Sequence, residues 1–208
     1  MKIDFLAQKP DRAGRYLVRF EGGSTMRLYR QTVEEYGLFA GLELSEDRLE
    51  DLRRDAGFMS AKMRAVRIVA ASSVSKGDLQ QRLERKGETT RQAQEAVAWM
   101  EELHLVDDRE TARQIVSRCA SRGYGLARAK QALYEKKIPR EYWEEALADF
   151  PDQTEAIVRF LKQKLGNAPD EREVKRATDA LLRRGHSYGE IRKALKSMVP
   201  DAEDFLED

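Results

Sequence analysis

The residues that could do covalent or metal chemistry are few in this sequence and stand far apart. Cys119 is the single cysteine; it follows Ile115 and Val116 and has no local partner that would activate a thiolate, so we expect a buried thiol. His104 and His186 fall in a link and a turn, without H-x3-H or C-x2-C spacing. The sequence also lacks a G-x4-G-K-[ST] loop. We therefore expect no enzyme activity, metal or cofactor.

Two further groups could do chemistry, and each has a structural alternative. Asp107 and Asp108 could form a metal pair, but Asp107 followed by Glu110 before an apolar periodic helix favours a helix N-cap. Trp143 could stack on a nucleic-acid base. It repeats the position of Ala93 in an internal repeat, however, and this favours a place in the core.

The elements that would position these residues begin with an N-terminal segment of mixed character. Residues 15–20 and 25–29 alternate on either side of a Glu-Gly-Gly-Ser turn, which predicts a β-hairpin. Apolar residues within 33–42 would cover the hairpin, and Ser45 would begin a short helix as its N-cap. We assign residues 1–57 to a small α/β module.

From about Gly57 onward the sequence is helical in pattern and repeats itself. Residues 75–83 and 187–195 match, each with a serine and an acid three positions later in a capping-box arrangement. A third copy between them has a glycine-rich turn at 122–125 instead of the serine, and third helices follow, the last around Phe205. Residues 154–166 lengthen the first helical region of the last copy, before a break at 167–169. The fold class is thus mainly α, with three tandem three-helix repeats in an elongated array at 58–107, 108–152 and 153–208.

The net charge of the sequence is nearly zero, but basic and acidic residues are separated periodically along it. The sequence has 38 basic and 37 acidic residues, a formal net charge of +1. Solvation of a helix face explains any single Lys or Arg. Basic residues nevertheless recur in the first two helices of each repeat, and acids recur in the third, which suits a polyanion or an oppositely charged protein surface. The residues predicted to contact a partner lie on second helices or the turns before them: Arg82, Arg85, Lys86, Arg128, Lys130, Lys136, Lys137, Arg183, Arg184, Arg192 and Lys193.

These residues resemble the RecX family, the regulators of the bacterial RecA recombinase. The resemblance covers nearly the whole chain. Its most specific part is residues 65–87, a helix, a serine-capped turn and a helix that ends in Arg-Lys-Gly. Residues 103–112 resemble the family's apolar and Asp-Asp link into the second repeat, and the turns at 122–125 and 183–188 fit as well.

The resemblance implies a monomeric negative regulator of RecA in DNA repair, recombination and the SOS response. Such a protein binds in the groove of the RecA filament on single-stranded DNA and inhibits filament extension, ATPase activity, strand exchange and coprotease activity. The alternative is a direct DNA-binding protein of tandem helix-turn-helix-like units, since a basic second helix also describes that motif. Single- or double-stranded DNA stays open as a partner, and Tyr124 and Tyr188 in basic turns are candidates for partner contact.

The expected location is the cytoplasm. Residues 1–10 do not form a basic and then apolar leader, and the lone cysteine cannot form an internal disulfide. No stretch approaches the roughly 20 apolar residues of a membrane-spanning helix. We therefore expect a soluble protein that does not bind membranes.

Overall fold

The computed structural model describes residues 1–166 and 169–198, and these form two compact units. The first unit contains residues 1–73 and 78–106, and the second contains the described residues 74–77, 107–166 and 169–198. The predicted fold class, mainly helical with an N-terminal hairpin module, is confirmed. Among the described helices, none has the length and apolar character needed to cross a membrane. The predicted helix around Phe205 lies outside the described residues.

The N-terminal module is an antiparallel sheet in the order β1-β2-β3, followed by a short helix. Its elements are β1 (Ile3–Leu6), β2 (Arg15–Phe20), β3 (Thr25–Tyr29) and α1 (Arg30–Glu35). The predicted hairpin is β2 and β3, and Arg15 pairs with Tyr29. Strand β1 was not predicted; it pairs with β2, and the fully buried Ile3 lies opposite Phe20. This third strand gives the hairpin the apolar support that two strands alone lack.

The segment after Ser45 is one long helix, α2 (Glu46–Ala71), and not the short helix that the sequence predicted. Ser45 is its N-cap, as predicted, and accepts a hydrogen bond from the backbone N–H of Arg48. The helix continues through Gly57, where a β-carbon would lie 2.0 Å from Nε2 of Gln92. This glycine therefore lets a neighbouring helix approach and does not interrupt α2.

The first repeat consists of α2, α3 (Lys76–Arg85) and α4 (Thr90–Glu102). Helix α4 packs along α2. It begins with a capping box, in which Thr89 and Gln92 bond to each other's backbone N–H. Leu79 and Leu83, the predicted apolar pair of the second helix, are fully buried.

The second repeat consists of α5 (Asp108–Ser121), α6 (Leu126–Glu135) and a third helical segment. That segment is a 3-10 turn (Arg140–Tyr142) that continues into α7 (Trp143–Leu147). Trp143 is 8% exposed and its Nε1 donates to the carbonyl oxygen of Ile138 at 3.0 Å, so its predicted place in the core is confirmed. It shares this core with Ala112, Val116 and Leu133.

The last described helices are α8 (Thr154–Lys164), α9 (Glu171–Arg183) and α10 (Tyr188–Met198), and they share one core. Helix α8 lies in the segment that the sequence placed before a break at 167–169, and its Ile157 and Leu161 are fully buried against α9 and α10. Ser187 and Glu190 form the predicted capping box at the start of α10. The limits predicted for the repeats stay predictions.

Candidate functional site

The residues considered for covalent and metal chemistry have structural roles. Cys119 is buried, and burial raises the pKa of its thiol. Asp107 is the predicted N-cap of α5, because its Oδ1 accepts from the N–H groups of Arg109 and Glu110 at 2.8 and 3.1 Å. Across residues 1–166 and 169–198, no three side chains of the His, Cys, Asp or Glu type converge as metal ligands would.

Among the predicted cations of the first repeat, one side chain is paired with an acid and two are exposed to solvent. The guanidinium of Arg82 forms a two-pronged ion pair with Asp78, with Nε–Oδ1 and Nη2–Oδ2 distances of 3.0 and 2.9 Å. Arg85 and Lys86 are exposed at the end of α3. The backbone carbonyl of Lys86 accepts from Nη1 of Arg64 at 2.8 Å, so its backbone is held while its ammonium faces solvent.

The second repeat also contains both paired and exposed cations. Nη1 of Arg128 lies 3.1 Å from Oε1 of Glu135, whereas Lys130 is exposed on α6. Lys136 is half-buried, and its carbonyl accepts a hydrogen bond from the hydroxyl of the buried Ser75. Lys137 follows with a φ of +55° and an exposed side chain.

The two basic turns picked out by sequence contact each other within the second unit. The N–H of Gly125 donates to the carbonyl of Arg184 at 3.0 Å, and the N–H of Ala127 donates to that of Gly185 at 3.2 Å. A β-carbon on Gly125 would lie 2.1 Å from the carbonyl oxygen of Gly185. The middle repeat has glycine where the first has Ser75 because no side chain fits between the turns.

His186 completes this contact between the turns. Its ring is 4% exposed, and Nε2 lies 3.0 Å from the carbonyl oxygen of Gly123. Burial lowers the pKa of the imidazole, which favours the neutral ring with a proton on Nε2 donated to Gly123. The histidine therefore holds the turn at 122–125 in place.

In the last repeat, the cation Arg184 lies beside two aromatic rings. The guanidinium carbon of Arg184 lies 4.7 Å from the ring centroid of Phe160 and 5.9 Å from that of Tyr124. Arg192 is half-buried, while Arg183 and Lys193 are exposed. Tyr188 is 42% exposed at the start of α10.

Six of the eleven residues predicted to contact a partner are exposed to solvent, and their contact with a partner stays a prediction. None of them forms an ion pair with another described residue, in contrast to Arg82 and Arg128. They are Arg85, Lys86, Lys130, Lys137, Arg183 and Lys193. The first two lie in the first unit and the other four in the second.

Two exposed apolar residues beside these cations were not among the predicted contacts. Tyr134 is 70% exposed and Leu126 is 38% exposed, and both lie on α6 with Lys130 between them. The signal was present in the sequence, because positions four apart share one helix face. The repeat alignment drew attention to the adjacent face, which carries the buried Ala129 and Leu133.

Comparison with known proteins identifies the family. The model of the RecX second three-helix domain matches residues 107–147, which include α5, α6 and α7. The regulatory protein RecX of Chlorobaculum tepidum is 30% identical over 144 residues, which cover 67% of this chain and 89% of that protein. The chain belongs to the RecX family. The RecX of Vibrio parahaemolyticus is 25% identical over 146 residues, which are 69% of this chain and 94% of that protein.

Solved RecX structures have the same fold as this family member. The crystal structure of a regulatory protein RecX aligns with a TM-score of 0.65 over 96% of this chain and 98% of that one, at 19% identity. RecX from Lactobacillus salivarius aligns with a TM-score of 0.58 over 68% of this chain and 96% of that one, at 20% identity. At these identities the likeness supports the fold alone.

Proposed function

We propose that this protein is a negative regulator of the RecA recombinase. It binds the RecA filament on single-stranded DNA and restrains filament extension, and with it ATP hydrolysis, strand exchange and coprotease activity. The observation that carries the proposal is membership of the RecX family, through a relative of which the chain covers 89% at 30% identity. The protein acts by binding, in the cytoplasm, and supplies no chemistry of its own.

The exposed cations support this proposal. Lys130 lies on α6, whose inner face carries the fully buried Leu133, and Lys137 lies just after the end of that helix. A filament of protein and DNA presents phosphates and carboxylates in a repeating arrangement. Several weak ionic contacts from one chain to such a lattice add through effective concentration, so that modest individual contacts give firm binding.

The first test follows RecA ATPase activity on single-stranded DNA over time, with the protein added well below one copy per RecA subunit. We expect hydrolysis to fall progressively as filaments stop extending and lose subunits. Inhibition that appears far below stoichiometry indicates capping of growing ends. An unchanged ATPase rate at a saturating concentration of folded protein would refute the proposal.

The second test reverses charge at Lys130 and Lys137, which are both exposed. We expect Lys130→Glu with Lys137→Glu to weaken ATPase inhibition while the melting temperature stays near that of the parent, because exposed charges contribute little stability. The matched control is Lys162→Glu with Lys175→Glu, which makes the same change in net charge at exposed positions on α8 and α9. Equal inhibition by both double variants would remove α6 from the contact surface.

Direct binding to DNA is the second candidate, because the exposed Lys130 and Lys137 lie on or next to a second helix, as in helix-turn-helix proteins. A salt titration separates the two functions. A binder held by phosphates loses affinity for duplex DNA with a log-log slope of about −0.9 for each phosphate neutralised. Tight binding to duplex DNA without RecA would favour this second candidate.

A further inference from the structure

One face of α6 in the second repeat takes no part in the core of that repeat. Leu126, Lys130 and Tyr134 are spaced by four residues and therefore lie along one side of the helix. Tyr134 is 70% exposed and Leu126 is 38% exposed. A tyrosine with an apolar neighbour on the solvent side contributes nothing to the core, and tyrosine is enriched at binding hot spots.

This face borders a groove between α6 and the third helical segment of the repeat. The groove has a volume of about 480 Å³. We call it the α6–α7 groove, and its lining is Leu126, Lys130, Arg140, Trp143, Glu144, Leu147 and Ala148. The guanidinium carbon of Arg140 lies 3.9 Å from the ring centroid of Trp143, so a cation–π contact holds this charge at the groove.

The composition of the groove combines an apolar surface with positive charge. Leu126, Leu147 and Ala148 supply apolar atoms, while Lys130 and Arg140 supply two positive charges against the single negative charge of Glu144. A groove between two helices with an apolar floor accepts the apolar face of an amphipathic helix. The cations select a helix with acids beside that apolar face.

We infer that the α6–α7 groove is the docking site for an acidic amphipathic helix of a protein partner. The inference rests on the proposed function, since the RecA filament would supply that helix. Tyr134 lies one turn beyond Lys130 and extends the contact along α6. Four of the residues involved, Leu126, Tyr134, Arg140 and Leu147, were not among the contacts predicted from sequence.

The groove fits a protein better than a nucleic-acid strand. Leucine side chains such as Leu126 and Leu147 offer no hydrogen bond or charge to a sugar-phosphate backbone. The ring of Trp143 is 8% exposed and has Arg140 against it, so that a base cannot stack on it.

Photo-crosslinking tests the inference on the full chain. p-Benzoylphenylalanine replaces Tyr134, and in a control protein it replaces Ser117, which is exposed on α5 of the same repeat. Each protein is bound to RecA filaments on single-stranded DNA, collected by sedimentation, irradiated and mapped by mass spectrometry. We expect position 134 to crosslink at least tenfold more than position 117, to a RecA segment that is helical and acidic.

The possible outcomes distinguish this inference from the proposed function. Crosslinks from position 134 to DNA, or equal yields at both positions, would overturn the docking site and leave regulation of RecA standing. The absence of a crosslink at position 134 in protein that sediments with the filament has the same meaning. If the parent neither sediments with the filament nor inhibits its ATPase, both proposals fail together.

A substitution provides a second, independent measurement. Tyr134→Ala should lower the affinity for the filament about tenfold, as expected for a tyrosine at a binding hot spot. Ser117→Ala is the control and should bind as the parent does. Because Tyr134 is 70% exposed, its removal should leave the melting temperature nearly unchanged. An affinity within twofold of the parent for the folded variant would contradict the inference.

Discussion

Replacement of Gly125 by alanine tests the contact between the two basic turns. The φ of Gly125 is −78°, a value that alanine adopts freely, so the substitution causes no backbone strain. Its cost is steric, because the new β-carbon would lie 2.1 Å from the carbonyl oxygen and 2.3 Å from the carbonyl carbon of Gly185. Ordinary carbon–oxygen contacts begin near about 3.3 Å, so the turns must separate by roughly an ångström.

Separation of the turns removes identifiable interactions. The hydrogen bonds from Gly125 to Arg184 and from Ala127 to Gly185 measure 3.0 and 3.2 Å, and they would lengthen beyond bonding range. Each contributes about 1 kcal/mol, and forcing a methyl group into a packed contact costs roughly 1–3 kcal/mol. We therefore expect a loss of about 3–5 kcal/mol, which lowers the melting temperature of a unit of this size by at least about 12 °C.

The assay is thermal unfolding followed by circular dichroism, with Gly189→Ala as the matched control. Gly189 lies in α10, and a β-carbon there meets no atom within 4 Å. Alanine at this position should raise stability by up to about 1 kcal/mol, because it favours the helix more than glycine does. A Gly125→Ala protein that melts within about 2 °C of this control would refute the steric argument.

Two further predictions concern buried side chains of the second unit. Leu133→Ala should lower the free energy of unfolding by about 2–5 kcal/mol, because Leu133 is fully buried. The neighbouring Tyr134→Ala is the control and should change it by less than about 0.5 kcal/mol, because Tyr134 is exposed. Urea unfolding measures both values. His186→Gln keeps a donor for the Gly123 carbonyl and removes the titration. Burial lowers the pKa of His186 below 6.5, and the hydrogen bond to Gly123 and the charge of Glu190 only partly oppose it. As the pH falls, the unfolded chain therefore binds a proton at this histidine before the folded chain does. Parent stability should be complete above about pH 6.5 and decline below it, and melts at several pH values should show a smaller decline in the variant.

The contact between the turns at 122–125 and 183–188 gives these two motifs a structural role. The turns at 122–125 and 183–188 resemble the family pattern, and their arginines suggest a partner surface. In the structure their glycines and His186 bond to each other, and Arg184 lies against Phe160. The motif therefore serves packing through its backbone, and only outward side chains such as Arg183 are available to a partner.

Local sequence determined much of this protein because the relevant interactions are short-range. The hairpin followed from alternation around a turn at residues 21–24, and the caps at Ser45 and Asp107 followed from side chains that bond to N–H groups two or three residues away. Leu79, Leu83 and their equivalents were identified as core because helix periodicity places apolar residues on one face.

Tertiary structure alone decided the features that join distant parts of the chain. Strand β1 forms because β2 offers an edge to residues with a weak signal of their own, and Gly57 in α2 lies against Gln92 of α4. Local rules anticipate the pairing of Arg82 with Asp78 four residues away, but not the placement of Arg184 against Phe160. Residues far away in sequence decide which cations are exposed to solvent and where an exposed helix face borders a groove. Periodicity within one helix contains no information about those residues.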